Sequence, residues 1–162
     1  MFLNTRVRRH APFVVAAASA VALDQWSKSL VRSNLAYGES WPEADWIVKL
    51  THGSNAGAAF GLFQGQGALL TIVALAAVVM IVFFQVVQPA DQFLARLGLG
   101  AILGGTVGNL ADRLRAGVVT DFIDFPRYPD FNLADSSIVI GLLLLAAVSL
   151  LNPQVRRQND GP

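Results

Sequence analysis

Four long apolar stretches divide the chain into segments of membrane-crossing length. A transmembrane helix needs about 20 mostly apolar residues. The stretches that meet this need cover about residues 11–31, 67–87, 93–114 and 136–151. The pattern predicts an all-α integral membrane protein with four transmembrane helices, formed as a single membrane-embedded domain over residues 1–162.

The connection between the first and second stretches carries a different pattern. It contains Trp41, Trp46 and the short apolar run Ile47–Leu50. Aromatic side chains are favoured at the membrane–water interface. We therefore expect a small strand-containing element in this first extracytoplasmic loop.

Composition supports the membrane assignment and narrows the possible chemistry. Hydrophobic residues make up 54% of the chain and charged residues 14%, whereas soluble domains contain about 25% charged residues. The net charge of +1, without basic and aromatic residues interleaved, gives no indication of a nucleic-acid partner. The absence of cysteine excludes disulfides, thiolate metal sites and a cysteine nucleophile.

Basic residues predict the orientation of the chain in the membrane. They cluster before the first span, as Arg6, Arg8 and Arg9, and after the last, as Arg156 and Arg157. The positive-inside rule makes that side cytoplasmic. Both termini are then cytoplasmic, and the two longer connections face outward.

The first span has an alternative interpretation as a cleavable secretory signal. Its apolar run ends in Ala20-Val21-Ala22, which fits a small-residue cleavage site. The helical pattern nevertheless continues beyond that site, through the charged residues Asp24 and Lys28. We therefore expect the first span to be retained.

Acidic residues are distributed unevenly across the predicted membrane. Of 11 carboxylates, only Asp91 and Asp160 fall on the cytoplasmic side. Basic residues on the cytoplasmic side orient the chain, and this accounts for the acids in polar loop sequence outside. It does not account for the acids in apolar surroundings. A charge within a span costs about 2.5–3.5 kcal/mol on insertion scales and indicates a functional position.

Two helical clusters combine charge with apolar context. Asp24 and Lys28 are four residues apart and share one helix face, where they form either a structural ion pair or a contact to a polar substrate backbone. Asn109, Asp112 and Arg113 likewise share one side of the third helix. They too are consistent with an ion-pair scaffold or with substrate contact.

Two further acids lie in the second outer connection. Asp121 lies among valine, isoleucine and phenylalanine, and Asp135 is placed to act as the N-cap of the fourth helix. Serine–histidine and zinc chemistry lack their motifs, since the histidines are only His10 and His52 and no H-E-x-x-H string occurs. Carboxylates are the remaining candidates for acid–base catalysis. Two carboxyls that share one proton can activate water and protonate a leaving amine.

Together these residues resemble the lipoprotein signal peptidase family, also called signal peptidase II. Five blocks match in the family's order: Asp24–Lys28, Asn55–Phe60, Gly104–Arg113, Gly117–Phe122 and Phe131–Asp135. The resemblance implies an aspartic endopeptidase of the bacterial inner membrane, with its site at the outer face. Such an enzyme removes the signal peptide from diacylglyceryl-modified prolipoproteins by cleaving before the lipidated cysteine.

The resemblance also implies roles for individual residues. Asp121 and Asp135 correspond to the catalytic aspartates. Residues that correspond to those lining the family's substrate site are Asp24, Lys28, Asn55, Gly57, Asn109, Asp112, Arg113 and Asn132. No metal or organic cofactor is expected, and the partners implied are membrane lipid, the prolipoprotein and the inhibitor globomycin.

A non-catalytic transporter or assembly subunit is the alternative interpretation. A transporter places its charges near the bilayer midplane, whereas these charges gather at the outer ends of the spans. A G-x-G-D intramembrane protease is a further alternative, but that string is absent.

We predict that reporter fusions after Leu62 and after Pro162 report opposite sides of the membrane, because the basic N-terminus anchors the first span in the cytoplasm. The measurement is paired alkaline phosphatase and fluorescent-protein activity. Two fusions that report the same side would contradict the four-span topology.

Overall fold

The computed structural model describes residues 2–43, 46–57, 65–87 and 92–151. The helices are α1 (Phe2–Asn34), α2 (Gly67–Val87), α3 (Phe93–Ala116) and α4 (Leu133–Leu151). The strands are β1 (Ser40–Trp41), β2 (Lys49–Asn55), β3 (Val119–Phe125) and β4 (Tyr128–Phe131). The protein is therefore mostly helical with a small antiparallel sheet.

Helix α3 is the centre of the helical bundle and packs against α1, α2 and α4. At one end of the bundle, α1 and α3 finish and α4 starts beside the sheet. At the opposite end, α1, α2 and α3 meet through His10, Gln85 and Arg96, with Gln85 Nε2 3.0 Å from His10 Nδ1. The four helices thus run alternately towards and away from the sheet.

The observed helices agree closely with the apolar stretches, with two differences. Helix α4 begins at Leu133, three residues before the predicted start, and α1 extends beyond both predicted ends. Among the described helices, α2, α3 and α4 are long and apolar enough to cross a membrane. Helix α1 is long enough but not apolar enough to meet this criterion, because Asp24, Gln25 and Lys28 interrupt its apolar sequence. Asn152 and Pro153, which follow the fourth apolar stretch, lie outside the described residues.

The sheet is larger than the sequence predicts. Its order is β1-β2-β3-β4, and every neighbouring pair is antiparallel. Strands β1 and β2 form the expected element of the first long connection, but β3 and β4 come from the second connection and extend the same sheet. The strand-containing element expected in the first connection is therefore present, and it belongs to a larger sheet because β2 also pairs with β3.

The central contact between α1 and α3 depends on glycine. A Cβ on Gly104 would lie 2.5 Å from both the Ala17 carbonyl oxygen and the Ala20 Cβ. A Cβ on Gly108 would lie 2.5 Å from Asp24 Oδ2. These glycines let the backbone of α1 approach α3 directly, as small residues spaced four apart do between membrane helices. The close approach brings Asp24 and Lys28 within reach of polar side chains on α3.

We predict that Gly104→Leu destabilises the bundle by at least about 1–3 kcal/mol, the usual cost of overpacking, because no space exists for a side chain beside Ala17. The measurement is the thermal unfolding temperature of the detergent-purified protein. Ala76→Leu, at an exposed position of α2, is the matched control and should leave that temperature nearly unchanged. An equal effect of both variants would contradict the packing explanation.

Candidate active site

A cavity of about 260 Å³ lies where the sheet meets the ends of α3 and α4. Both candidate catalytic aspartates, Asp121 and Asp135, line it. The other lining residues are Asn55, Gly57, Asn109, Arg113, Val119, Tyr128, Pro129, Asp130, Phe131, Ile138 and Val139. The cavity therefore has a carboxylate pair within an otherwise mixed apolar and amide surface.

Strand β3 carries Asp121 into the interior, where its side chain is 4% exposed. Its Oδ1 accepts a hydrogen bond of 2.7 Å from Asn132 Nδ2, and its Oδ2 accepts one of 3.0 Å from Asn55 Nδ2. Asn55 reaches this carboxyl because β2 pairs with β3. The sheet thus supplies one of the two amide donors on Asp121.

Asp135 lies in the first turn of α4 and not at its N-cap, so the expected N-cap role is corrected. Asn132 Oδ1 accepts a 3.0 Å hydrogen bond from the Asp135 backbone N–H, and the Asn132 backbone N–H donates to Asp135 Oδ2 at 3.2 Å. This reciprocal pair is a capping box. Asn109 Nδ2 donates to the other oxygen, Oδ1, at 2.8 Å.

Asn132 is the direct connection between the two aspartates. Its side chain is fully buried, and it contacts Asp121 through its amide nitrogen and Asp135 through its amide oxygen. The same nitrogen also lies 3.1 Å from Asn109 Oδ1. One amide therefore links Asp121 of β3 to the first turn of α4.

The environment of Asp121 favours its protonated form. Burial first, and then the charge of Asp135, raises the pKa of Asp121 from its ordinary value of 3.8 to about 6. Hydrogen bonds from Asn55 and Asn132 and the charge of Lys28 act in the opposite direction. Asp121 is therefore suited to hold a proton near neutral pH.

A second, fully buried layer lies behind the cavity. Lys28 Nζ is 2.9 Å from Asp24 Oδ2, 3.0 Å from Asp112 Oδ2 and 2.8 Å from Asn109 Oδ1. Asp24 and Lys28 are each 0% exposed. Asp24 Oδ1 also accepts the Ala134 backbone N–H at 3.0 Å. Of the alternatives open at Asp24 and Lys28, this burial favours the ion pair over direct substrate contact.

Arg113 connects the helical part of the site to the first long connection. Its Nη2 donates to the Gly57 carbonyl oxygen at 3.2 Å, and the Gly57 N–H donates to Asn55 Oδ1 at 2.8 Å. Gly57 is the last described residue before 58–64, so Ala58, Ala59 and Phe60 of the matching block lie outside the described residues. Arg113 and Asn55 thus fix the edge of the cavity.

The structure sorts the ten sequence-predicted site residues into two groups. Those on the cavity surface are Asn55, Gly57, Asn109, Arg113, Asp121 and Asp135. Those behind it are Asp24, Lys28, Asp112 and Asn132, all buried. Asp124 points elsewhere in the sheet, where its Oδ2 accepts a hydrogen bond from Thr51 at 3.0 Å.

Sequence reasoning missed the residues of the β4 hairpin. Tyr128, Pro129, Asp130 and Phe131 line the cavity, although Asp130 reads in the sequence as an ordinary loop acid. Burial, then the charge of Asp124, raises the pKa of Asp130. The signal that could have found the hairpin is the Pro126-Arg127 turn between β-forming segments, in which Arg127 has φ = 66°.

A larger, open concavity of about 740 Å³ lies away from the aspartates, against Trp41, Trp46, Ile47 and Val48. Its described lining is mainly apolar, with Lys49 as the charged exception, so the cavity with the carboxylate pair is the better candidate site. Within the described part of the chain, no three His, Cys, Asp or Glu side chains group together to hold a metal ion.

Comparison with known proteins assigns this arrangement to a family. The family described as signal peptidase (SPase) II matches residues 16–151. A lipoprotein signal peptidase of Moorella thermoacetica is 40% identical, over 86% of this chain and 93% of the relative. One of Dehalococcoides mccartyi strain BAV1 is 42% identical, over 85% of this chain and 89% of the relative.

Solved structures agree with this result. A bacterial membrane enzyme solved by the in meso method at 2.3 Å resolution superposes with a TM-score of 0.81, at 26% identity and with 93% of each chain covered. Another, solved by the same method at 1.9 Å, gives a TM-score of 0.77 at 28% identity, covering 86% of this chain and 92% of the other.

We predict that Asp121 makes the stability of the protein fall as pH rises. Between about pH 4 and 6 the unfolded chain loses the Asp121 proton while the folded protein keeps it, so the free energy of unfolding decreases with pH. The pKa rise from 3.8 to about 6 corresponds to about 3 kcal/mol.

Asp121→Asn cannot ionise and should lack this decrease. Its unfolding temperature relative to the unmodified protein should therefore be higher at pH 7 than at pH 4. The measurement is thermal unfolding in detergent at both pH values. A difference between the two proteins that does not change with pH would contradict the assignment.

Proposed function

We propose a mechanism from the premise that this chain belongs to the signal peptidase II family. The chain is accordingly a membrane peptidase of lipoprotein processing, and its reaction is the removal of signal peptides from prolipoproteins. The peptidase family supports this activity over the alternative of a non-catalytic transporter or assembly subunit.

In our proposal, Asp121 and Asp135 are the catalytic pair. The observation that carries it is their common cavity, in which both carboxyls receive hydrogen bonds from the same residue, Asn132. Two adjacent carboxyls share one proton because the second negative charge is costly in a buried site. The raised pKa of Asp121 makes it the proton holder. Asp135 accepts a backbone N–H near a helix N-terminus, which favours its ionised form.

The reaction follows from these two states. Ionised Asp135 takes a proton from water as the water oxygen attacks the scissile carbonyl carbon, and Asp121 gives its proton to the carbonyl oxygen. The tetrahedral intermediate then loses the amine, which receives the proton held by Asp135. Asp121 recovers its proton from the hydroxyl that becomes the new carboxyl group. The pair returns to its starting state, and one water is consumed for each bond broken.

We propose that the substrate is the diacylglyceryl-modified prolipoprotein, cleaved before the lipidated cysteine. Its acyl chains keep it in the bilayer, so its scissile bond lies near the interface. The cavity is suited to this because apolar Ile138 and Val139 of α4 form one side of it, and the exposed apolar surface of α4 can face lipid. Asn55, Gly57, Asn109 and Arg113 offer polar groups for the substrate backbone.

The buried residues have a supporting role in this proposal. Asp24, Lys28 and Asp112 pair with one another, and Asn132 joins the aspartates. They hold the residues that line the cavity without being exposed to substrate. The cyclic peptide globomycin is proposed to occupy the same cavity, and no metal or organic cofactor takes part.

We further propose that the chain is one peptidase domain in the bacterial cytoplasmic membrane, with α1 as the first of four spans. Both termini are cytoplasmic, and the sheet and cavity face outward. The support is the basic N-terminal sequence together with the alternating helix directions. Polar residues of α1 are tolerated because Asp24 and Lys28 are paired within the protein.

We predict that Asp121→Asn and Asp135→Asn each abolish cleavage, since an amide can neither accept a proton from water nor donate one to the carbonyl oxygen. The measurement is the gel shift of a purified diacylglyceryl-modified prolipoprotein after incubation with the purified enzyme. Unfolding temperature and elution volume establish that each variant is folded.

Asp124→Asn is the matched control, because Asp124 lies three residues from Asp121 in the same strand but bonds to Thr51. It should retain at least partial cleavage. Substantial cleavage by either Asp121→Asn or Asp135→Asn would remove the aspartic mechanism. Complete loss in Asp124→Asn alone would show that Asp124 is the acid that matters in β3.

A further inference from the structure

Within the described residues, every oxygen of the two aspartates receives one hydrogen bond. Three side-chain amides supply three of the four: Asn132 to Asp121 Oδ1, Asn55 to Asp121 Oδ2 and Asn109 to Asp135 Oδ1. The fourth comes from the Asn132 backbone N–H to Asp135 Oδ2. Each carboxylate oxygen has two lone pairs, so one on each remains for the shared proton or for water.

An amide side chain can donate a hydrogen bond to a carboxylate oxygen in only one orientation. Its nitrogen end donates and its oxygen end accepts, and the two ends have nearly the same shape. A reversed amide would present oxygen to a carboxylate and repel it. The useful orientation must therefore be imposed by what contacts the opposite end of each amide.

The contact behind each amide is a group that can only donate. Asn55 Oδ1 accepts the Gly57 backbone N–H at 2.8 Å, and Asn132 Oδ1 accepts the Asp135 backbone N–H at 3.0 Å. Asn109 Oδ1 accepts from the Lys28 ammonium at 2.8 Å and from Asn132 Nδ2 at 3.1 Å. Two of the three orientations are thus imposed by the main chain. The third is imposed by side chains, and Lys28 makes the shorter and charged contact.

Lys28 is well suited to this role because its own bonding is complete. An ammonium has three N–H donors and no acceptor, and Lys28 Nζ has three acceptors in Asp24, Asp112 and Asn109. It is fully buried, so water does not compete for these bonds. A reversed Asn109 amide would place N–H groups against an ammonium on one side and lose its bond to Asp135 on the other.

We propose that Lys28 is a positioning residue that acts on Asp135 through Asn109. Its ammonium fixes the direction of the Asn109 amide, and the amide in turn holds Asp135 by donating to Oδ1. The proposal rests on the catalytic assignment of Asp121 and Asp135. The positioning of Asp135 by Lys28 is distinct from the pairing of Lys28 with Asp24 and Asp112, which stabilises the fold.

The test is a double-mutant cycle on kcat with the diacylglyceryl-modified prolipoprotein. Lys28→Met and Asn109→Ala should each lower kcat by roughly 10- to 100-fold, the worth of a hydrogen bond to a charged group. If Lys28 acts through Asn109, adding Lys28→Met to Asn109→Ala should lower kcat by less than about threefold more. The same fold-loss from Lys28→Met in both backgrounds would overturn the proposal.

Arg32→Met is the matched control, because Arg32 is another cation of α1 near Asp112, at 3.7 Å, and its hydrogen bond goes to Thr120. It contacts neither Asn109 nor an aspartate of the pair. Its kcat should stay within about threefold of the unmodified enzyme. A loss of kcat as large as that of Lys28→Met would mean that removal of either cation of α1 lowers kcat, and it would overturn the proposal.

Asn109→Asp decides the question if Lys28→Met does not fold. The new carboxylate keeps an oxygen for Lys28, and so keeps the buried cluster bonded, but offers no N–H to Asp135. A folded protein with kcat at least about tenfold lower and KM little changed is expected. Retention of kcat would show that the oriented donor is not needed. Failure of the catalytic assignment itself would appear separately, as cleavage by Asp135→Asn.

Discussion

The buried ion cluster around Lys28 is the interaction on which the rest of the structure depends. Asp24 and Lys28 come from α1 and Asp112 from α3, and Asp24 also accepts the Ala134 N–H of α4. Asp112 reaches the sheet by accepting the Thr120 N–H. Removing one member leaves an uncompensated buried charge, which costs about 3–5 kcal/mol. The cluster therefore specifies one arrangement of three helices and a strand.

This cluster can form only because the helices approach closely. Gly104 and Gly108 remove the side chains that would separate α3 from α1, and the Asp24 carboxylate lies where a Gly108 side chain would be. In a bilayer the hydrophobic effect does not drive helices together, so close packing and internal polar contacts must do so. The glycines permit the close approach of α1 and α3, and the buried charges supply polar contacts between the same two helices. Association of these helices therefore depends on both.

The same burial that stabilises the cluster prepares the site for chemistry. Asp121 lies beyond the ends of the helices in a nearly dry position, and its pKa rises because burial disfavours its charge. Amide donors keep this rise moderate, so that the proton can still be exchanged near neutral pH. The amides of Asn55 and Asn132 therefore set the pKa of Asp121 together with burial. The hairpin of β3 and β4 closes the cavity over both.

The sequence by itself determined the local features of this protein. Apolar length predicted α2 with the observed bounds and α3 nearly so, and the spacing of four residues placed Asp24 and Lys28 on one face. Motif order indicated the family, which the comparisons show, and the residues that we propose for the site. These features depend on neighbours along the chain, which is why a single sequence reveals them.

Only the tertiary structure decided which of those residues line the cavity and which support it. The pairing of β2 with β3 joins segments more than 60 residues apart and places Asn55 on Asp121. The capping box with Asn132 places Asp135 in the first turn of α4 and not at the N-cap. The β3–β4 hairpin places Tyr128 and Asp130 in the cavity lining. Burial and hydrogen-bond direction arise from contacts between distant segments, and such contacts leave no periodic pattern in the sequence.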